Sequence, residues 1–245
     1  MIDTITIDLW NTLISNTAED ARRFHKARTS GIIEAFLSDG ITIEEGEVGK
    51  ALDLCYKKCW DLWTKNLDLT AQEQIEILMS LLPGGEEVSP DSLERIEKAY
   101  TEAVMESPPA LIEGSSEILG YLEKRDYKLG LICNTGRSPG RVLRKLLRQH
   151  RIVHYFDVLT FSDELRIRKP DPQIFLLTLK RLESSPSGSI HIGDELQTDV
   201  MGAKGVGMRA IHFDEGGSGH QEIQSDYCVG KLEDVKKIVE SLRQR

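Results

Sequence analysis

After Pro108-Pro109 the chain alternates short apolar runs with amphipathic segments, and this alternation restricts the fold to a parallel sheet covered by helices. Lys128 to Cys133, Asp157 to Phe161, Ser189 to Gly193 and Met208 to Phe213 read as strands. Between them, Ser116 to Lys124, a segment opened by Pro139 and running to about His150, and Pro172 to Leu182 read as helices. An edge strand is expected around Tyr227, followed by a last helix from Leu232 to Arg243, and Gly216 to Gly219 reads as a short flexible loop. One further strand stands alone at the N-terminus: Thr4-Ile5-Thr6-Ile7-Asp8 is β-branched and apolar, then yields to Asn11-Thr12. Ligands of open α/β sheets bind where loops leave the carboxyl ends of strands, which makes Asp8 a candidate functional residue.

Residues 17–106 carry a different signal, helical throughout. Ala18 to Leu37 is periodic and closes near Gly40, and Glu44 to Asn66 carries Leu52, Tyr56, Cys59, Trp60 and Trp63 at helical spacings. Thr70 and Glu73 form a capping box, and Ser89-Pro90 supplies an N-cap and first-turn proline for a fourth helix toward Met105. Four such helices bury a core of their own. The expected fold is therefore α/β: a Rossmann-like parallel-sheet core, residues 1–16 and 107–245, with an inserted all-helical four-helix domain, residues 17–106.

Forty acidic residues against thirty-one basic ones give a net charge of -9 without a long block of one sign, which argues against a nucleic-acid partner. No window has the length of a membrane span, and the N-terminus lacks a basic region followed by a long apolar stretch, so a cytoplasmic protein is expected. Nothing in the sequence bears on oligomeric state. Of the four cysteines, Cys55 and Cys59 share a helix face, but no histidine or third cysteine stands near them at metal-ligand spacing. Tyr56, Trp60 and Trp63 are expected in a helical core, Arg137 and Arg141 at solvated helix positions, and His191 as a packed imidazole.

Several polar residues stand at the ends of the apolar runs. Asp8 is followed by Thr12; Lys169 lies in Arg168-Lys169-Pro170-Asp171; Gly193-Asp194 closes a strand, with Asp199 five residues on. Singly, each is an ordinary turn or cap residue. In this order they resemble the haloacid dehalogenase superfamily over nearly the whole chain. Its Asp-x-Asp-x-Thr motif is matched by Asp8-Leu9-Trp10-Asn11-Thr12 except at the second aspartate. The strand ending in Ser or Thr is matched by Leu129 to Cys133, the lysine of a Lys-Pro-Asp segment by Lys169, and the acidic loop by Gly193 to Asp199. The helical insert falls where one subclass of this family carries its cap.

The resemblance implies a magnesium-dependent hydrolase of small phosphorylated metabolites, with Asp8 as nucleophile and Lys169 bridging it to the phosphoryl oxygens. Asp8, Asp194 and the carbonyl of Trp10 would hold magnesium, supported by Asp199. Thr12, Cys133 and the turn Asn134-Thr135-Gly136 would contact the transferred group. The implied chemistry is physically coherent, because a carboxylate attacking an anionic ester needs cations to neutralise both.

Two positions depart from the pattern. Trp10 stands where family phosphatases carry the acid that protonates the leaving alcohol, and indole has no proton to give near neutral pH. Cys133 replaces a hydroxyl with a weak donor, and also reads as a small buried apolar residue. Three functions stay open: a phosphatase with another acid, such as Glu195 or a residue of the insert; a dehalogenase, since family dehalogenases carry an aromatic residue at the Trp10 position; and a non-catalytic binding protein. The acidic loop argues against dehalogenation, because those enzymes work without metal and lack it.

Overall fold

The computed structural model describes residues 2–216 and 225–243. Residues 217–219 of the expected glycine-rich loop lie outside this range. The chain divides into two compact units, one of Met1–Ser15, Ala110–Asn134 and Leu147–Arg245, the other of Asn16–Pro109 and Thr135–Leu146. The second unit thus takes in Thr135–Leu146, a segment whose sequence pattern belongs to the alternating half.

The first unit is built on β1 (Thr4–Ile7), β2 (Lys128–Cys133), β3 (Val158–Phe161), β4 (Ser189–Gly193), β5 (Arg209–Phe213) and β6 (Tyr227–Val229). They form one parallel sheet in the order β3-β2-β1-β4-β5-β6. That is the strand order of a doubly wound dinucleotide-type fold, whose order reverses between β1 and β4. Every residue of β1 is buried, as a central strand covered on both faces requires. Buried apolar side chains illustrate that covering. Ile132, Ile174, Phe175, Leu179, Val200 and Ala203 pack together, while Leu119 and Leu122 are buried in the helix Ser115–Glu123 that precedes β2, and Val235 and Val239 in the helix that follows β6. The final helical segment opens with a 3₁₀ turn, Leu232–Asp234, before regular helix begins at Val235.

The second unit contains α1 (Ala18–Ser38), α2 (Glu45–Trp63), α3 (Ala71–Met79) and α4 (Pro90–Glu106). Local chemistry sets their starts. Thr70 Oγ1 accepts from the Glu73 N–H at 3.2 Å while Glu73 takes the Thr70 N–H at 2.8 Å, and Ser89 caps α4 ahead of Pro90. Gly40 ends the turn after α1 at φ +74°, open to glycine without strain. Ile32, Phe36, Val48, Leu52, Leu78, Ile96 and Tyr100 form its core. The polar atoms there are paired: Tyr100 donates to Gln74 at 2.9 Å, Gln74 donates to the Gly136 carbonyl at 3.1 Å, and Arg28 donates to the Tyr100 carbonyl at 2.8 Å.

Two expectations fail in this unit. Tyr56 and Trp60 are 42% and 52% exposed, and of the three aromatics only Trp63 is buried. The buried stripe of α2 runs through Val48, Leu52, Cys55, Cys59 and Trp63, and positions 56 and 60 lie about 100° round the helix from it. Arg137 is not a solvated side chain: it donates to the Leu52 carbonyl at 3.2 Å and lies over the Tyr56 ring, with its Nε buried. Arg141 is exposed as expected, paired with Glu97. Among the described residues no helix is long and apolar enough to cross a membrane.

Candidate active site

Asp8 leaves the carboxyl end of β1 with its N–H donated to the Ile192 carbonyl of β4 at 2.9 Å, at the place where the strand order reverses. The next residues close a tight loop. The N–H groups of Leu13 and Ile14 both donate to the Leu9 carbonyl, and Asn11, at φ +53°, donates its own to Ile14. Asparagine tolerates that left-handed conformation better than most residues. The Ser115 hydroxyl pins the loop by donating to the Leu13 carbonyl at 2.9 Å. Thr12 is thereby carried back into the interior, its hydroxyl 3.5 Å from Asp194 Oδ1.

Lys169 is 3% exposed, and its ammonium pairs with Asp8 and, at 2.5 Å, with Asp199. Its main chain is held by Asn134, which accepts the Lys169 N–H at 2.8 Å and donates to its carbonyl at 3.0 Å. The Asn134 side chain therefore positions Lys169. Asp199 sits in a π-helical turn, Leu196–Met201. It receives three partners: Lys169, His191 Nε2 at 3.0 Å and the Glu195 N–H at 3.1 Å. His191 is fixed in turn by Thr6, whose hydroxyl lies 2.8 Å from Nδ1. Gly193 makes this packing possible, because a Cβ there would stand 2.3 Å from Asp199 Cγ.

Asp8, Asp194 and Asp199 each present a carboxylate oxygen within 4.8 Å of the others. Three carboxylates against one ammonium leave the cluster short of positive charge. Burial first, then Asp199 and Asp194, push the Asp8 carboxyl up to about 8 despite Lys169. Asp194 is raised to about 6 by burial and by Asp199. For Asp199, burial is outweighed by Lys169 and His191, and its carboxyl stays below the ordinary range. Lys169 is raised, burial being outweighed by Asp199 and Asp8, and His191 is lowered by burial. This donor set, all oxygen and electron-rich, fits a hard divalent cation such as magnesium.

The other expected residues fall as follows. Cys133 is fully buried at the end of β2, and burial raises its thiol. Thr135 belongs to the second unit, where its hydroxyl donates to Asp68 at 3.3 Å. Trp10 is half-buried within the loop after Asp8 and pairs through its main chain with Ile14. His191 and Asn134 are the positioning residues whose roles the sequence did not disclose. A strand histidine two residues before Gly193 was the only visible trace of the first.

A model of haloacid dehalogenase-like hydrolases matches residues 64–213, more than half of the chain, and includes Lys169, Asp194 and Asp199. The chain belongs to this family. Asp8 to Thr12 precede the matched segment. Two curated members are similar over part of their length. The glyceraldehyde 3-phosphate phosphatase of Pyrococcus furiosus is 30% identical over 133 residues, 53% of this chain and 54% of that protein. The phosphorylated carbohydrates phosphatase of Thermotoga maritima is 31% identical over 160 residues, 62% and 68%. The chain thus spans about half the length of the first of these relatives. Among haloacid dehalogenase-like structures, that of a 2-haloacid dehalogenase from Pseudomonas syringae pv. Tomato superposes over 99% of this chain and all of its own, with a TM-score of 0.78 at 21% identity. At that identity the likeness concerns the fold.

Proposed function

We propose that this chain is a magnesium-dependent phosphatase acting on a small phosphorylated metabolite through an aspartyl-phosphate on Asp8. One observation carries the reading: Asp8 shares its ammonium partner, Lys169, with Asp199 and shares a cluster of oxygen ligands with Asp194. A nucleophilic carboxylate is thereby set beside both a fixed cation and a place for a second. The relatives named as phosphatases of glyceraldehyde 3-phosphate and of phosphorylated carbohydrates support the substrate class.

In this reading Asp8 Oδ attacks phosphorus, the ester oxygen departs, and water then cleaves the acyl phosphate. Lys169 neutralises the nucleophile and the phosphoryl oxygens, and Asn134 and Asp199 hold its position. Asp8, Asp194 and the carbonyl of Trp10 would hold magnesium, with Asp199 as support. When bound, the ion would screen the carboxylates from the phosphoryl anion and stabilise the charge developed in transfer. Thr12, Cys133 and the main chain of the Asn134-Thr135 turn would face the transferred group, and the helical unit would serve as the cap that selects it. Trp10 leaves the departing alcohol without an acid at the family position. A replacement acid would come from Glu195, exposed beside Asp194 and accepting from the Thr198 hydroxyl, or from a residue of the helical unit.

Dehalogenation is the second reading, favoured by Trp10 and opposed by the carboxylate cluster, which would repel a halo acid. A generic aryl phosphate and a panel of halo acids distinguish the two. Asp8→Asn should reduce aryl-phosphate turnover below a few per cent while the circular dichroism spectrum stays native, since an amide of the same shape is a poor nucleophile. Magnesium-independent release of halide without phosphatase activity would replace this proposal.

A further inference from the structure

Away from Lys169 and its carboxylates, a second group of ligating side chains converges at the β6 edge of the sheet. In the parallel pair β5–β6, His212 lies opposite Cys228 in register, and Asp214 follows His212 by two residues. Alternation along a strand places positions 212 and 214 on one face. One ligand atom from each of His212, Asp214 and Cys228 lies within 4.8 Å of the others.

The orientation of His212 is settled by its partner. Its Nε2 stands 2.9 Å from the Asp194 carbonyl, which only accepts, so in the neutral ring Nε2 carries the proton and Nδ1 the lone pair. That lone pair faces Cys228 Sγ at 3.8 Å. Metal-bound histidines are commonly held this way, donating the other ring N–H to a carbonyl. Around a tetrahedral zinc ion with Zn–S of about 2.3 Å and Zn–N of about 2.0–2.1 Å, the nitrogen and sulfur stand about 3.6 Å apart. The His212–Cys228 pair therefore has to close by only a few tenths of an ångström.

We propose that His212 Nδ1, the Asp214 carboxylate and Cys228 Sγ form a second cation site, for zinc or a similar borderline-soft ion, with water as the fourth ligand. The nitrogen, oxygen and sulfur donors separate it from the oxygen-only cluster around Asp8, which suits magnesium. His212 is buried, Asp214 half-buried and Cys228 exposed. Without an ion, burial and the Asp214 charge push the Cys228 thiol up. Binding replaces the S–H bond with a sulfur–metal bond and releases the proton to solvent, so affinity rises with pH. The His212 hydrogen bond ties the site to the main chain of Asp194, a residue of the acidic cluster.

Cys55, Cys59 and Cys133 are buried and Cys228 is exposed, so alkylation of the native protein by iodoacetamide reads Cys228. Stoichiometric zinc should protect it, equal magnesium should not, and cobalt should give a thiolate charge-transfer absorption. The same behaviour is expected of the Asp8→Asn protein, which makes the outcome independent of the proposed phosphatase chemistry. Cys228→Ser should abolish the absorption and weaken zinc binding by at least about 10- to 100-fold, the loss usual for removing even an indirect support of a ligand. Asp214→Asn should weaken binding but keep the absorption. Full alkylation of Cys228 at saturating zinc, or a cobalt–thiolate band that survives Cys228→Ser, would overturn the proposal.

Discussion

Asp8 and Asp194 carry carboxyls raised to about 8 and about 6, above their unfolded values, so between those values the ion-free native state binds more protons than the unfolded chain. Stability contributed by such groups falls as pH rises. Asp199 is shifted downward and Lys169 upward, and both are fully charged throughout the neutral range in either state. His191 is lowered, so its contribution grows with pH but is complete above about 6.5, its ordinary value. Between pH 6.5 and 8 the Tm of the ion-free protein should therefore fall relative to that of the magnesium-saturated protein. A thermal melt series at several pH values checks this; an equal slope with and without magnesium would contradict it. Trp10 supports a second residue-scale prediction. If the family acid is simply missing, Trp10→Asp should raise alkyl-phosphate hydrolysis by a measurable part of about 10²- to 10⁴-fold, with little change for aryl phosphates whose leaving group needs no proton. A folded Trp10→Asp protein without gain on any alkyl phosphate would point to Glu195 or to other chemistry.

At the scale of elements, the end of β4 and the turn after it show why a glycine precedes the acidic loop. The turn brings Asp199 back against Gly193, where a methyl group would overlap its carboxylate at 2.3 Å. Gly193→Ala should cost about 1–3 kcal/mol, as overpacking does, and displace Asp199 from Lys169. Urea unfolding would read the first effect, and a loss of aryl-phosphate turnover larger than the loss of folded protein the second. Helix starts are the most legible elements in this chain, because Thr70, Glu73, Ser89 and Pro90 act on their own backbone within one turn. Face assignments are less so. Tyr56 and Trp60 share a helical spacing with Trp63, yet the core meets α2 along Cys55 and Cys59. Which of two adjoining stripes is covered depends on residues such as Tyr100 and Gln74, distant in sequence from both.

At the scale of the whole molecule, each unit carries its own apolar core, and the carboxylate cluster belongs to the first unit alone. A ligand that binds only the native cluster stabilises by mass action, about 2.7 kcal/mol at a hundred times its Kd. Magnesium should accordingly raise the Tm of the unit containing the sheet, and Asp194→Ala should abolish the rise. Calorimetry of both proteins with and without magnesium checks this, and equal insensitivity would remove the assigned cation site.

The sequence by itself determined the α/β class, the positions of nearly all strands and the helical stretch after Asn16, and its family resemblance singled out Asp8, Lys169, Asp194 and Asp199, which the fold brings together. These are local matters: strand and helix periodicities repeat within a few residues, and each of the four polar residues follows or flanks an apolar run. Only the tertiary structure decided that Asn134 holds the Lys169 main chain, that His191 and Gly193 shape the setting of Asp199, and that His212 meets Cys228. Each of those depends on a register between strands or on a loop returning from far along the chain. Side chains 8 to 35 residues apart become neighbours there because the backbone hydrogen bonds of the sheet, not the sequence near them, set the distance.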